Sequence, residues 1–278
     1  MEKKTTLSTA LVTANLDNAP LLGDSMGYEM VSVTVGKGRH MFTIHKNLIC
    51  ATGSNLGKMF STRKVDDPIH FPSETPGVFI LFVEYLYKNT VPCVSATSSV
   101  TAQAVRLRDL CQLYVFGEQV EMDIEIRNKV MDSIQDGFRS INRFPDANLV
   151  QCIYGRTKPG CILRKFCALS LLAKVRAPDY INDYHITTWL ESNVDGFHDF
   201  FEALMKFNPH QDPRVRDLEG KTGIWPCAFH IHPSEAKVKR EVGIDNKGVD
   251  IDKMPNAGDQ AGSSAKISEL CHLFTESI

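Results

Sequence analysis

The sequence predicts an α+β fold, a β-hairpin followed by a long series of amphipathic helices. Three observations predict it. Residues Met30–Val35 alternate, with Val31, Val33 and Val35 on one face and Ser32 and Thr34 on the other, the period of a half-buried strand. Later stretches repeat apolar residues at three- and four-residue spacing, the period of a helix with one buried face. Beyond Asn208 glycine and proline become frequent, and from Pro233 to Lys266 there is no Phe, Tyr or Trp. The expected plan is a flexible arm over 1–27, a small domain over 28–138, an all-α extension over 139–207 and a mostly disordered tail over 208–278.

Each element has its own justification. Residues 1–27 are rich in Thr, Ser and Asn with a weak apolar pattern. Gly36-Lys37-Gly38 turns the chain after the first strand, and His40, Phe42 and Ile44 alternate with Met41 and Thr43 in the return strand. Lys46–Cys50 suggests a short helix, whereas Gly53 and Gly57 make Ser54–Phe60 a poor helix former. Ile69-His70-Phe71 reads as a short strand ending at Pro72. Thr75 is an N-cap with Pro76 at the first helical position, where its missing N–H costs nothing. Phe79, Phe82, Val83 and Leu86 then form one buried stripe. A second helix carries Leu107, Leu110, Cys111 and Tyr114 and ends at Gly117; a third carries Ile126, Val130, Ile134 and Phe138. In the extension, Leu149, Val150, Ile153 and Tyr154 make one stripe. Leu163, Phe166, Cys167 and Leu171 make another, ended by Ala177-Pro178. Leu190, Val194, Phe197, Phe201 and Leu204 make the last, stopped by Asn208-Pro209. The tail buries too little apolar area to offset roughly 1–2 kcal/mol of backbone entropy per residue, so a chain ending near Phe207 is expected to fold. A short helical stripe at Ile267, Leu270, Cys271 and Phe274 is marginal alone.

Bulk properties narrow the function classes. The chain has 278 residues and a net charge of −2, so no overall field draws in nucleic acid or anionic membrane. Lys237-Val238-Lys239-Arg240 lies between Glu235 and Glu241 and reads as a solvated stretch. No apolar run has the roughly 18 residues of a membrane span, and the start is too polar for an export signal. The eight cysteines form no Cys-x-x-Cys pair, and Asn-x-Ser/Thr is absent. Reduced thiols in the cytoplasm or nucleus are the expectation.

Candidate chemistry is sparse. Cys227, His230 and His232 share a short segment with zinc-compatible donors, but a structural zinc wants four ligands. The simpler reading is that Phe229 and Ile231 anchor the segment while the histidines face water. His45, at a strand–helix junction, reads as a group that satisfies backbone. Gly220-Lys221-Thr222 lacks the glycine of a phosphate loop, since Val215 stands there. Cys50 sits in an apolar run, a poor setting for a thiolate. No catalytic residue and no cofactor are expected. Tyr85 and Tyr87 are candidate interface anchors.

The assembled residues resemble the BTB/POZ family, specifically its fungal branch, over about residues 28–205. Val31-Ser32-Val33-Thr34-Val35-Gly36 with Phe42-Thr43-Ile44-His45-Lys46-Asn47-Leu48 is similar to that family's opening hairpin and first helix. Phe71-Pro72-Ser73-Glu74-Thr75-Pro76 with Phe79, Phe82 and Tyr85-Leu86-Tyr87 resembles its central motif. Leu110-Cys111-Gln112-Leu113-Tyr114 and Asn128-Lys129-Val130-Met131-Asp132 resemble its last helices. Ile153-Tyr154-Gly155-Arg156-Thr157 and Leu163-Arg164-Lys165 resemble the fungal extension. The resemblance implies a mixed sheet flanked by helices, no active site, self-association into dimers or larger assemblies, and scaffolding of a partner. It also implies that Glu29 and Lys46 pair. Some family members recruit a cullin in a ubiquitin ligase, with an apolar residue and a glutamate after the helix at Ser54–Phe60. Ser61-Thr62-Arg63-Lys64-Val65-Asp66-Asp67-Pro68 has no glutamate and departs from that pattern.

Overall fold

A computed structural model of the chain describes residues 26–62, 68–177 and 184–232. β1 (Met30–Val35) pairs antiparallel with β2 (His40–His45), setting Val31 opposite Ile44 and Val33 opposite Phe42. The alternation expected in β1 is present: its three valines are buried and their neighbours are half-exposed. β2 buries only Ile44 fully, because it is an edge strand. In the turn Gly36 takes φ +73° beside the Glu74 carbonyl, a conformation that favours glycine. β3 (Ile69–Phe71) joins the other side of β1 in parallel, so the sheet has the order β2-β1-β3 and is mixed.

α1 (Lys46–Cys50) follows β2 directly. α2 (Asn55–Ser61) forms despite its poor propensity. Ser54 Oγ accepts the Gly57 N–H at 3.0 Å, and Leu56 and Phe60 are buried. Gly57 lies so near the Cys50 backbone that a Cβ would stand 2.9 Å from its carbonyl oxygen; glycine there allows two short helices to touch. α3 (Pro76–Lys88) begins as expected, with Thr75 accepting from the Val78 N–H and Pro76 in the first turn. α4 (Val100–Gln119) runs through Gly117, which was expected to end it. One mid-helix glycine costs about 1 kcal/mol, less than the burial of its neighbours Val115 and Phe116 returns. α5 (Ile124–Ser140) buries Ile126, Val130, Ile134 and Phe138.

α6 (Ala147–Arg156) and α7 (Ile162–Val175) carry the expected stripes inward. The single stripe read over Leu190–Leu204 is instead divided between α8 (Tyr184–Ser192) and α9 (Val194–Lys206). Asn193 is the reason: its Oδ1 accepts the Gly196 N–H at 2.7 Å and starts a new helix. Gly196 then packs against the Trp189 ring with no room for a side chain. Gly196 and Ala203 take the buried positions, and Val194 and Phe201 are exposed.

The core is continuous. Phe42, Phe71, Phe79, Phe82 and Phe116 form a chain of rings with centroids 5.2 to 6.0 Å apart. Phe138 meets Phe166 at 5.7 Å, and Phe166 meets Phe229 edge-on at 5.3 Å. Among the described residues no helix is long and apolar enough to cross a membrane. Cys111, Cys161 and Cys167 are buried and free, and burial pushes the Cys161 thiol up to about 12.

The disordered reading of 208–278 is corrected for its first part. Residues 208–232 form a strap with two short strands, β4 (Asp212–Arg216) and β5 (Gly223–Ile224). Its hold is one face of α5. Asn128 exchanges two hydrogen bonds with the Ile231 backbone, at 2.8 and 3.1 Å. Asp132 and Asp136 take the Arg216 guanidinium, and Gln135 donates to the Pro213 carbonyl at 2.7 Å. Arg214 lies 3.8 Å over the Phe144 ring and donates to the Arg143 carbonyl. Pro213, Ile224 and Phe229 are buried. The arm before Met26, the segment 233–278, the basic cluster at Lys237–Arg240 and the stripe at Ile267–Phe274 lie outside the described residues.

Candidate functional site

The candidate site is the outer edge of the hairpin with the helix beside it. Lys46 donates its N–H to the Glu29 carbonyl at 2.8 Å, so Lys46 bonds inward to β1. In an antiparallel ladder the inward and outward residues alternate. His45, Thr43 and Met41 therefore point their main-chain groups away from β1. His45 shows this directly: its N–H donates outward to the Tyr87 hydroxyl at 3.3 Å, and its Nδ1 lies 2.6 Å from the same oxygen. Tyr87 thus closes one end of the edge. The donors and acceptors of Met41 and Thr43 face solvent, and both residues are exposed.

α3 supplies the wall of this edge. The Phe79 ring meets that of Phe42 at a tilt, with centroids 5.6 Å apart, and Tyr87 reaches His45, so the helix packs against β2 at both places. Its Ile80, Val83 and Tyr87 fall at i, i+3 and i+7, one line on the helix surface. Ile80 is 48% exposed, and Val83 and Tyr87 are half-buried. Among the described residues no strand pairs with this edge, and Tyr87 of α3 reaches it at His45.

Three of the four residues singled out from the sequence meet at this corner. Glu29 and Lys46 form an ion pair at 3.0 Å, a partly exposed contact of small energetic weight. Tyr87 joins them through His45. His45 was expected to satisfy backbone; its ring bonds a tyrosine side chain instead. Tyr85 lies elsewhere, under the Lys129 ammonium at 5.7 Å, where burial raises its phenol above the ordinary range. Phe42 and Ile80 were not read as site residues. Phe42 was assigned to the hairpin core, and Ile80 falls outside the buried stripe of its helix, which was the signal available. Cys50, on α1, donates to the Gly57 carbonyl, and burial raises its thiol, as its apolar setting led one to expect.

The Cys227, His230 and His232 segment does not converge. Phe229 is its buried anchor, Cys227 and His232 are exposed, and His230 Nε2 bonds Asp132 Oδ1 at 2.9 Å rather than facing water. No group of three or more candidate metal ligands occurs among the described residues. Cys271 and His272 lie outside them.

A second polar cluster joins the extension to the hairpin region. Arg164 is 3% exposed and donates to the Tyr154 and Thr157 carbonyls at the end of α6, and to Asp195 at 2.9 Å. Arg156 pairs with Glu74 just before α3. Burial is the larger influence on Glu74 and raises its carboxyl despite the guanidinium. These groups bond one another and act as a structural joint. Comparison with family models, with curated proteins and with solved structures finds no match to this chain, so its function is argued from its own residues.

Proposed function

We propose that this chain is a non-enzymatic protein–protein interaction module that self-associates and scaffolds a partner, in the manner of the BTB/POZ domains that its sequence resembles. The observation that carries the reading is the edge of β2 that no described strand covers, with Tyr87 of α3 at one end of it. An unpaired strand edge offers main-chain hydrogen bonds to any extended segment, and side chains beside it add selectivity. The groups assembled there are main-chain amides, the Tyr87 phenol bonded to His45 and the Glu29–Lys46 ion pair, which offer hydrogen bonds to a docked segment.

Two measurements test it. Light scattering on the full chain should show a dimer or larger species at about 100 μM, a concentration that detects affinities down to roughly −5 kcal/mol; a monomer there overturns self-association. Thr43→Pro removes an outward N–H that the hairpin does not use and blocks strand addition. Partners recovered from the native host with the wild-type chain should be lost with this variant. Equal recovery would remove the edge from the proposal.

A further inference from the structure

α9 packs Gly196 and Ala203 against the body and leaves a second apolar face in solvent. Val194, Phe197, Phe201 and Met205 fall at i, i+3, i+7 and i+11, a single line along a helix. Val194 and Met205 are each 71% exposed and Phe201 is 43% exposed. Phe197 stacks on Phe201 with ring planes 15° apart. One flank of the line is charged and reads Asp195, His198, Glu202, Lys206.

We infer that α9 pairs antiparallel with α9 of a second copy of this chain, about a two-fold axis near Phe200. This rests on the self-association proposed above and names its surface. The charge order selects both occupant and direction. Reversed against itself, the flank sets Lys206 beside Asp195 of the other copy and His198 beside Glu202, and the symmetry repeats each contact. In a parallel pair the two-fold axis would carry the charged flanks of the two copies to opposite sides of the seam, so they would not meet and the complementary order would go unused. Opposed helix dipoles favour the same direction. Part of the flank is already ordered: Lys206 holds Glu202 at 2.6 Å, and Asp195 is held by Arg164 while its side chain stays 53% exposed. Ordering before contact lowers the entropy cost of association. A lone helix pair buries less than the roughly 1,600 Å² of a standard interface, so the dimer is reversible.

Sedimentation equilibrium of the full chain, over about 1–200 μM, tests this. The wild-type chain forms a dimer. Phe201→Glu weakens it by about 100-fold or more, as loss of a central aromatic anchor does, and Lys206→Glu by about three- to tenfold. Glu202→Lys weakens it, and the double variant His198→Glu/Glu202→Lys restores it; no restoration overturns the antiparallel direction. If Phe201→Glu does not fold by circular dichroism, Met205→Lys takes its place. A dimer unchanged by these substitutions overturns the inference and leaves self-association to another face. A wild-type monomer throughout overturns both.

Discussion

Two phenylalanines on facing elements show how position rather than residue type sets the weight of a side chain. Phe82 is fully buried, whereas Phe42 lies half-exposed at the sheet edge. Phe82→Ala should cost about 3–5 kcal/mol. Phe42→Ala should cost roughly half as much, since the cavity it leaves opens to water; urea titration of both variants checks the ratio. Period-two alternation assigned Phe42 to the correct face, but no local pattern reveals that β2 has no neighbour beyond it among the described residues. Glu74 makes a second prediction at this scale. Its carboxyl is raised in the folded chain by burial, with Arg156 opposing. The folded state therefore holds this proton more tightly than the unfolded state. Its contribution to stability is greatest at low pH and is lost as pH rises from the ordinary glutamate range through the raised midpoint. Glu74→Gln should lose that dependence, so the wild-type chain should weaken relative to the variant as pH rises from the ordinary glutamate range through the raised midpoint. Parallel denaturation curves at each pH would show it, and an unchanged difference would count against the burial argument.

At the scale of elements, helices with strong local signals were legible and those fixed by distant partners were not. α3 has its cap, its first-turn proline and its stripe within fourteen residues, Thr75–Lys88. The break between α8 and α9 also had a signal, Asn193, yet the apolar spacing of Leu190–Leu204 continues across it. The strap had none. Its hydrogen-bond partners on α5 lie about a hundred positions earlier, Asn128 with Ile231 and Asp132 with His230. Nothing in the local composition of 208–232 announces them. The expected truncation near Phe207 therefore changes sign. A chain ending there would expose Phe166 where Phe229 now covers it and would leave Gln135, Asp132 and Asp136 without their partners. It should be insoluble or unfold at least about 3 kcal/mol more readily, the cost of deleting one large buried ring. Phe229→Ala in the full chain isolates that ring and should cost about 3–5 kcal/mol in a urea titration.

For the whole molecule the question is whether the segments read as a hairpin domain and a helical extension unfold separately. Their contacts argue for one cooperative unit. Phe138 at the end of α5 packs against Phe166 of α7 with tilted rings. Arg156 ties the end of α6 to Glu74 and to Gln119. The strap then crosses α5 and anchors against α7 through Phe229. Breaking any one of these leaves a buried charge or an open apolar face in both segments, so the penalties are shared. Both tryptophans, Trp189 and Trp225, lie beyond residue 138, and their fluorescence reports on the later segment alone. Far-ultraviolet circular dichroism reports on helices of both. The two probes should trace the same urea transition with the same midpoint. A second ellipticity step, silent in tryptophan fluorescence, would place the boundary back at residues 138 and 139. It would also reduce the Glu74–Arg156 pair to a docking contact between independent domains.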